Sequence, residues 1–154
     1  IQAKKQTHLM TGYVHKPYAE IYADMARSAG FNSALLVRGV EGGVTASLRQ
    51  ISTTYQFVGE EPEVAVKVDP SELGVEHDLR APAIPDGVEG NLEISKYAAE
   101  AGMAALAGGE GLSFDALLLS AALTMHHLGR SATLKLAAEE VRDVLLSGRA
   151  AARV

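Results

Sequence analysis

The residues of this chain that could do chemistry converge on one stretch, Arg38–Ser47, read RGVEGGVTAS. The apolar run Leu35-Leu36-Val37 leads into it, and Gly39, Gly42 and Gly43 punctuate it. A strand that stops in a glycine-rich loop presents backbone N–H groups to a ligand at close range. The same glycines equally suit a tight connection that needs only positive φ. Two readings stand for Arg38: a bidentate grip on phosphate or carboxylate, or an ion pair with Glu41. Glu41 reads either as a ligand for a cation that bridges to phosphate or as a solvated loop charge. Thr45 and Ser47 add hydroxyls. The candidate substrate-binding set is therefore Arg38, Gly39, Gly42, Gly43, Thr45 and Ser47, with Glu41 as the candidate metal ligand. Neither a Walker pattern nor GxGxxG is matched.

Outside this stretch, residue types and spacing point mostly to structure. His126 and His127 are adjacent, so on a helix they point about 100° apart and cannot chelate one ion as an i, i+4 pair does. Both read as structural. His8, His15 and His77 have no ligand-spaced partner, and Glu76-His77-Asp78 reads as a polar loop cluster. No serine sits in a GxSxG elbow. Lys4-Lys5, Arg149 and Arg153 read as solvated ends.

The elements that must position the loop can be read from period and punctuation. Residues 8–14 form a short strand. Lys16-Pro17 opens a helix, with Pro in its first turn, and Tyr18, Ile21, Tyr22, Met25, Ala26 and Ala29 share one helical face. Gly30 closes it, and Ala34–Val37 is a buried strand. A strand–helix–strand unit of this length gives parallel strands, and ligands bind at their carboxyl ends. Arg38–Val44 lies at such an end.

One or two strands are expected within residues 47–58, rich in Ser, Thr, Tyr and Val, and another over Glu63–Val68. Asp69-Pro70-Ser71-Glu72 has the form of a capping box before a short helical turn. Residues 74–90 read as a surface loop. Three helices follow. The first carries Ile94, Tyr97, Ala98, Ala101 and Ala105 on one face. The second is capped by Ser113, apolar on nearly every side and hence buried. The third is marked by Leu134, Ala137, Val141, Val144 and Leu145. The expected fold class is α/β, a mixed sheet flanked by helices.

Composition sets outer limits. The chain has 154 residues, 47% of them hydrophobic and 21% charged, which suits a single α/β domain over 1–154 with a real core. A net charge of −5 argues against a nucleic-acid surface on this segment. Cysteine is absent, so thiolate metal sites and disulfides are excluded, which suits a reducing, cytoplasmic compartment. The most apolar window, Phe114–Leu128, is too short and too polar for a bilayer span of about 20 residues. The first residues carry no apolar signal region. The chain starts at Ile1 rather than Met, which suggests a piece of a longer polypeptide.

The run LMTGYVHKPYAEIYADMARSAGFNSALLVRGVEGG resembles the central part of the anthranilate phosphoribosyltransferase family, glycosyltransferase family 3. DPSELGV looks like the segment before that family's long loop. GNLEISKYAAEAGMAALAGGEG and FDALLLSAALTMHHLGRSATLKLAAEEVRDVLLSGRA look like its closing helices. The resemblance covers roughly residues 7–150. It implies the C-terminal part of a phosphoribosyltransferase-like domain within a longer two-domain protein that pairs as a homodimer when intact. It implies transfer of a phosphoribosyl group from phosphoribosyl pyrophosphate to a nitrogenous acceptor, with magnesium as cofactor, as in tryptophan biosynthesis. Two departures qualify it. The family's Asp-Glu pair, which holds the magnesium, is replaced by Thr45-Ala46, and its strand-end His is Arg38. The family's Gly-Thr-Gly-Gly-Asp loop and its anthranilate-gripping Arg have no counterpart in this chain. A relative that has lost transferase activity and binds nucleic acid is the alternative.

Overall fold

A computed structural model describes residues 7–154. Lys4-Lys5 lies outside the described residues. Four strands form one open sheet in the order β1-β2-β3-β4: His8–Gly12, Ser33–Val37, Ser52–Val58 and Val64–Val68. β1 and β2 are parallel, and β2–β3 and β3–β4 are antiparallel. The sheet is mixed, as expected, with the parallel pair in the strand–helix–strand unit at the start. Residues 47–58 yield one strand, because Leu48–Gln50 is bent around the Ser47 hydroxyl, which accepts hydrogen bonds from the Arg49 and Gln50 N–H groups.

β1 stops at Gly12, two residues earlier than the composition implied. The Tyr13 N–H still reaches the Val37 carbonyl at 2.9 Å, but its ring turns inward and donates its hydroxyl to the Thr53 carbonyl at 2.8 Å. α1, Pro17–Ser28, follows with Pro in its first turn.

α1 corrects one expectation. Ala19, Ala23 and Ala26 face the sheet, while Tyr18, Ile21 and Met25 are 47%, 50% and 63% exposed. The alanine stripe and the larger-residue stripe share the same helical period, one position apart. Packing selects the alanines, which let the helix lie close against Leu36 and Phe57. Tyr22 and Ala29 are half-buried at the border between the stripes.

β2 is buried along its whole length. Ala34 and Leu36 meet α1, and Leu35 and Val37 meet the helices on the opposite face. That second layer consists of α2 (Asn91–Leu106), α3 (Leu112–His127) and α4 (Leu134–Leu146). α3 is its centre, burying Phe114, Leu118, Leu119, Ala122 and Leu123 against the sheet and α4. α4 is capped by Thr133, whose hydroxyl accepts from the Leu136 N–H at 3.2 Å. The expected short helical turn is present as a single 3₁₀ turn at Ser71–Leu73, with the Asp69 carboxylate accepting from the Ser71 hydroxyl at 2.8 Å. Among the described residues no helix is long and apolar enough to cross a membrane.

Candidate functional site

The glycine loop begins where β2 ends, beside the end of β1. Val40–Gly42 makes one 3₁₀ turn, and Gly39 bridges back to Ala46 in antiparallel fashion. The loop is tightly self-bonded. The Val40 N–H donates to the Thr45 carbonyl (3.0 Å), the Gly42 N–H to Gly39 (3.3 Å) and the Gly43 N–H to Val40 (3.0 Å). Those three donors are committed within the loop, so backbone contact with a ligand falls to the remaining amides.

Close packing explains two of the glycines. A Cβ at Gly39 would collide with the Gly43 carbonyl, and a Cβ at Gly12 would collide with the carbonyls of both Gly42 and Gly43. The end of β1 and the loop therefore touch backbone to backbone. Glu41 adopts a left-handed conformation at φ 54°, uncommon for a residue with a side chain.

The candidate side chains separate into two groups. Arg38 and Glu41 are both exposed, and neither makes an ion pair or side-chain hydrogen bond among the described residues. The Arg38–Glu41 pair is not formed. Arg38 is left as an unpaired cation at the carboxyl end of β2, and its charge is felt at the Tyr13 phenol. Burial pushes that phenol's pKa up, Tyr55 adds to the rise, and Arg38 opposes it. Lys16, in the turn after β1, is also exposed and makes no ion pair among the described residues.

Thr45 is half-buried and borders an apolar groove of about 310 Å³ between α2, α3 and the Pro82–Ile84 segment. Ile94, Tyr97 and Ala101 form one wall, Ser113, Leu117 and Ser120 the other. Ser47 is separate from both groups. It is 4% exposed, and its hydroxyl already accepts the Arg49 and Gln50 amides.

Magnesium does not fit the residues present as a protein-held ion. Thr45 and Ala46 supply one neutral hydroxyl between them, and no three His, Asp or Glu side chains converge among the described residues. A hard cation needs carboxylate oxygens, and Glu41 is the single one in the loop.

Two arrangements escaped sequence reasoning. His77 meets Asp115 of α3 at 2.7 Å, 38 residues away in the chain. The pair ties the 74–90 loop to the start of α3, beside a polar cavity of about 610 Å³ that includes Arg49, Glu76 and Asp78. Glu76-His77-Asp78 advertised a polar cluster, but nothing local identified Asp115 as the partner. The second is a row of hydrogen bonds through the sheet. His8 Nδ1 meets Ser33 Oγ at 2.7 Å, Ser33 Oγ meets His127 Nε2 at 2.8 Å, and His127 Nδ1 meets Gln56 Oε1 at 3.1 Å.

No family model matches the sequence, and no curated protein sequence does. Solved structures do. The chain is similar to anthranilate phosphoribosyltransferase from Thermus thermophilus, with a TM-score of 0.57 and 23% identity over 90% of this chain and 38% of that one. It is also similar to a serine-to-alanine variant of anthranilate phosphoribosyltransferase from Saccharomyces cerevisiae with magnesium bound. There the TM-score is 0.68, with 22% identity over 96% of this chain and 40% of that one. The shared property is the fold, a mixed sheet with helices on both faces. The chain spans about two fifths of the length of those proteins.

Proposed function

We propose that this chain is the C-terminal part of the α/β domain of a phosphoribosyltransferase-like glycosyltransferase. The intact protein transfers a phosphoribosyl group from phosphoribosyl pyrophosphate to a nitrogenous acceptor. The observation that carries this reading is the match of nearly the whole chain, in one continuous fold, to two anthranilate phosphoribosyltransferases. The placement of Arg38, Gly39, Gly42, Gly43 and Thr45 at the carboxyl end of parallel strands supports it, since ligands of such sheets bind there.

Each group has a role under this reading. Arg38, unpaired and exposed, donates its planar fork to phosphate oxygens. The self-bonded loop holds Arg38 and Thr45 at a fixed separation, so catalysis rests on positioning and on stabilising charge that develops on departing pyrophosphate. Thr45 offers a hydroxyl at the border of the apolar groove. Ser47 supports the loop from behind rather than touching ligand. No step is assigned to magnesium, because the loop lacks the donor set.

A second reading, nucleic-acid binding without transferase activity, is favoured by Arg38 and Lys16, cations with no ion pair among the described residues, and by the loss of the acidic pair at Thr45-Ala46. Calorimetric titration of the full-length protein with phosphoribosyl pyrophosphate, with and without magnesium, separates the two. Saturable binding supports the transferase reading. No heat at millimolar ligand overturns it, and DNA affinity that falls steeply with salt would then establish the second.

A further inference from the structure

The row His8–Ser33–His127–Gln56 lies at the opposite end of β2 from the glycine loop. It joins the first residue of β1, the first residue of β2, the last residue of α3 and the middle of β3. Ser33 is 1% exposed and His127 9%, whereas His8 is open to solvent. Water therefore reaches one end of the row, and the hydroxyl in the middle is sealed.

The donor and acceptor inventory decides what such a row can do. With Gln56 Oε1 accepting from His127 Nδ1–H, the His127 Nε2 lone pair faces Ser33. The Ser33 hydroxyl donates there and accepts from His8 Nδ1–H. An added proton on His8 leaves every bond intact. With that proton aboard, the mirrored arrangement is also fully hydrogen-bonded: His127, now the imidazolium, keeps its Nδ1–H on Gln56 and donates Nε2–H to Ser33, and Ser33 donates to Nδ1 of a neutral His8 protonated at Nε2. The two differ by a paired shift, in which the Nδ1 proton of His8 moves to Ser33 Oγ as the Ser33 proton moves to His127 Nε2. No atom is lost and no co-reactant is needed.

A second proton breaks the scheme. Both rings would then donate to Ser33 Oγ, its own hydrogen would have no acceptor, and two cations would face each other across one oxygen. Unmade buried bonds and like charges are both costly.

We propose that His8, Ser33 and His127 form a one-proton relay, and that loading it with a second proton releases the end of α3 from the sheet, making the row a pH-operated latch. The titratable groups acting on His127 are His8 from β1 and His126 from its own helix. Both act, with burial as the larger cause, to lower its pKa. β2 and β3 contribute neutral Ser33 and Gln56. No carboxylate among the described residues hydrogen-bonds to His8, His126 or His127.

The test is imidazole NMR of the ¹⁵N-histidine-labelled protein across a pH series. In the wild type, His8 and His127 should respond together at a first step and again at a second step at least about one pH unit lower. In His8→Gln, which alters an exposed side chain, His127 should lose the upper step and titrate once. Ser33→Ala should uncouple the two rings, and hydrogen exchange at residues 124–130 should then no longer accelerate at the second step. If Ser33→Ala does not fold, His8→Gln decides alone. A His127 curve identical in wild type and His8→Gln overturns the proposal, as do independent single transitions in the wild type.

Discussion

The α-carbon of Gly12, at the end of β1, lies against the carbonyl groups of Gly42 and Gly43, leaving no room for a methyl group. This contact joins the end of the first strand to the loop that carries the candidate site. Its consequence is measurable. Gly12→Ala and Gly39→Ala each drive a Cβ into backbone that cannot rotate away, and overpacking of this kind costs about 1–3 kcal/mol. Gly102→Ala in α2 is the control. Its Cβ meets nothing within 4 Å, and replacing a helical glycine should stabilise by roughly 0.5–1 kcal/mol. Urea unfolding of the three variants checks the ordering.

Arg38 should behave oppositely. It has no partner to lose among the described residues, so Arg38→Ala should change stability by no more than about 0.5 kcal/mol, as surface substitutions do. Hydrogen bonds to charged groups contribute about 1.5–3 kcal/mol, so its affinity for phosphoribosyl pyrophosphate should drop roughly ten- to a hundredfold. Calorimetry of the variant beside its urea midpoint reads both effects. Equal affinity in the two proteins removes Arg38 from the site.

The strand–helix–strand start, the buried β2 and the three closing helices were all legible in the sequence, because periodicity and glycine or proline punctuation are local signals. So was the position of the glycine loop at a strand's carboxyl end. What stayed hidden depended on neighbours distant in the chain. Two stripes on α1 had the same period, and only contact with Leu36 and Phe57 chose the alanines. His77 and Asp115 carry no spacing rule, and neither do Ser33 and His127, which are 94 residues apart. Nor does composition reveal that the Ser47 hydroxyl accepts the Arg49 and Gln50 amides of the following turn.

The His77–Asp115 pair should hold the 74–90 loop to α3. Asp115→Ala leaves the half-buried imidazole without its partner, at a cost of about 1–3 kcal/mol. Hydrogen exchange should rise in peptides covering residues 74–90 and stay unchanged in α1. Unchanged exchange in that loop would show that the pair holds nothing.

Burial sets the sign of the pH dependence at His127. Its pKa in the folded protein lies below the ordinary 6.5, so between those two values the unfolded chain binds more protons. The stability it contributes is present in full above about pH 6.5 and is lost as pH falls through the folded value. The urea midpoint should therefore drop as pH falls below about 6.5, and His127→Gln should flatten that part of the profile. A profile as steep in the variant as in the wild type would assign the slope to other groups.

The central claim is that the Arg38–Thr45 loop meets the phosphates of a phosphoribosyl donor. Hydrogen-exchange mass spectrometry of the full-length protein, with and without saturating phosphoribosyl pyrophosphate, tests it most directly. Slowed exchange is expected in peptides spanning residues 38–47 and in the turn at 13–16, with Arg38→Ala requiring roughly ten- to a hundredfold more ligand to produce both changes. Exchange in those peptides that is unaltered at millimolar ligand, or protection confined to other segments, would contradict it.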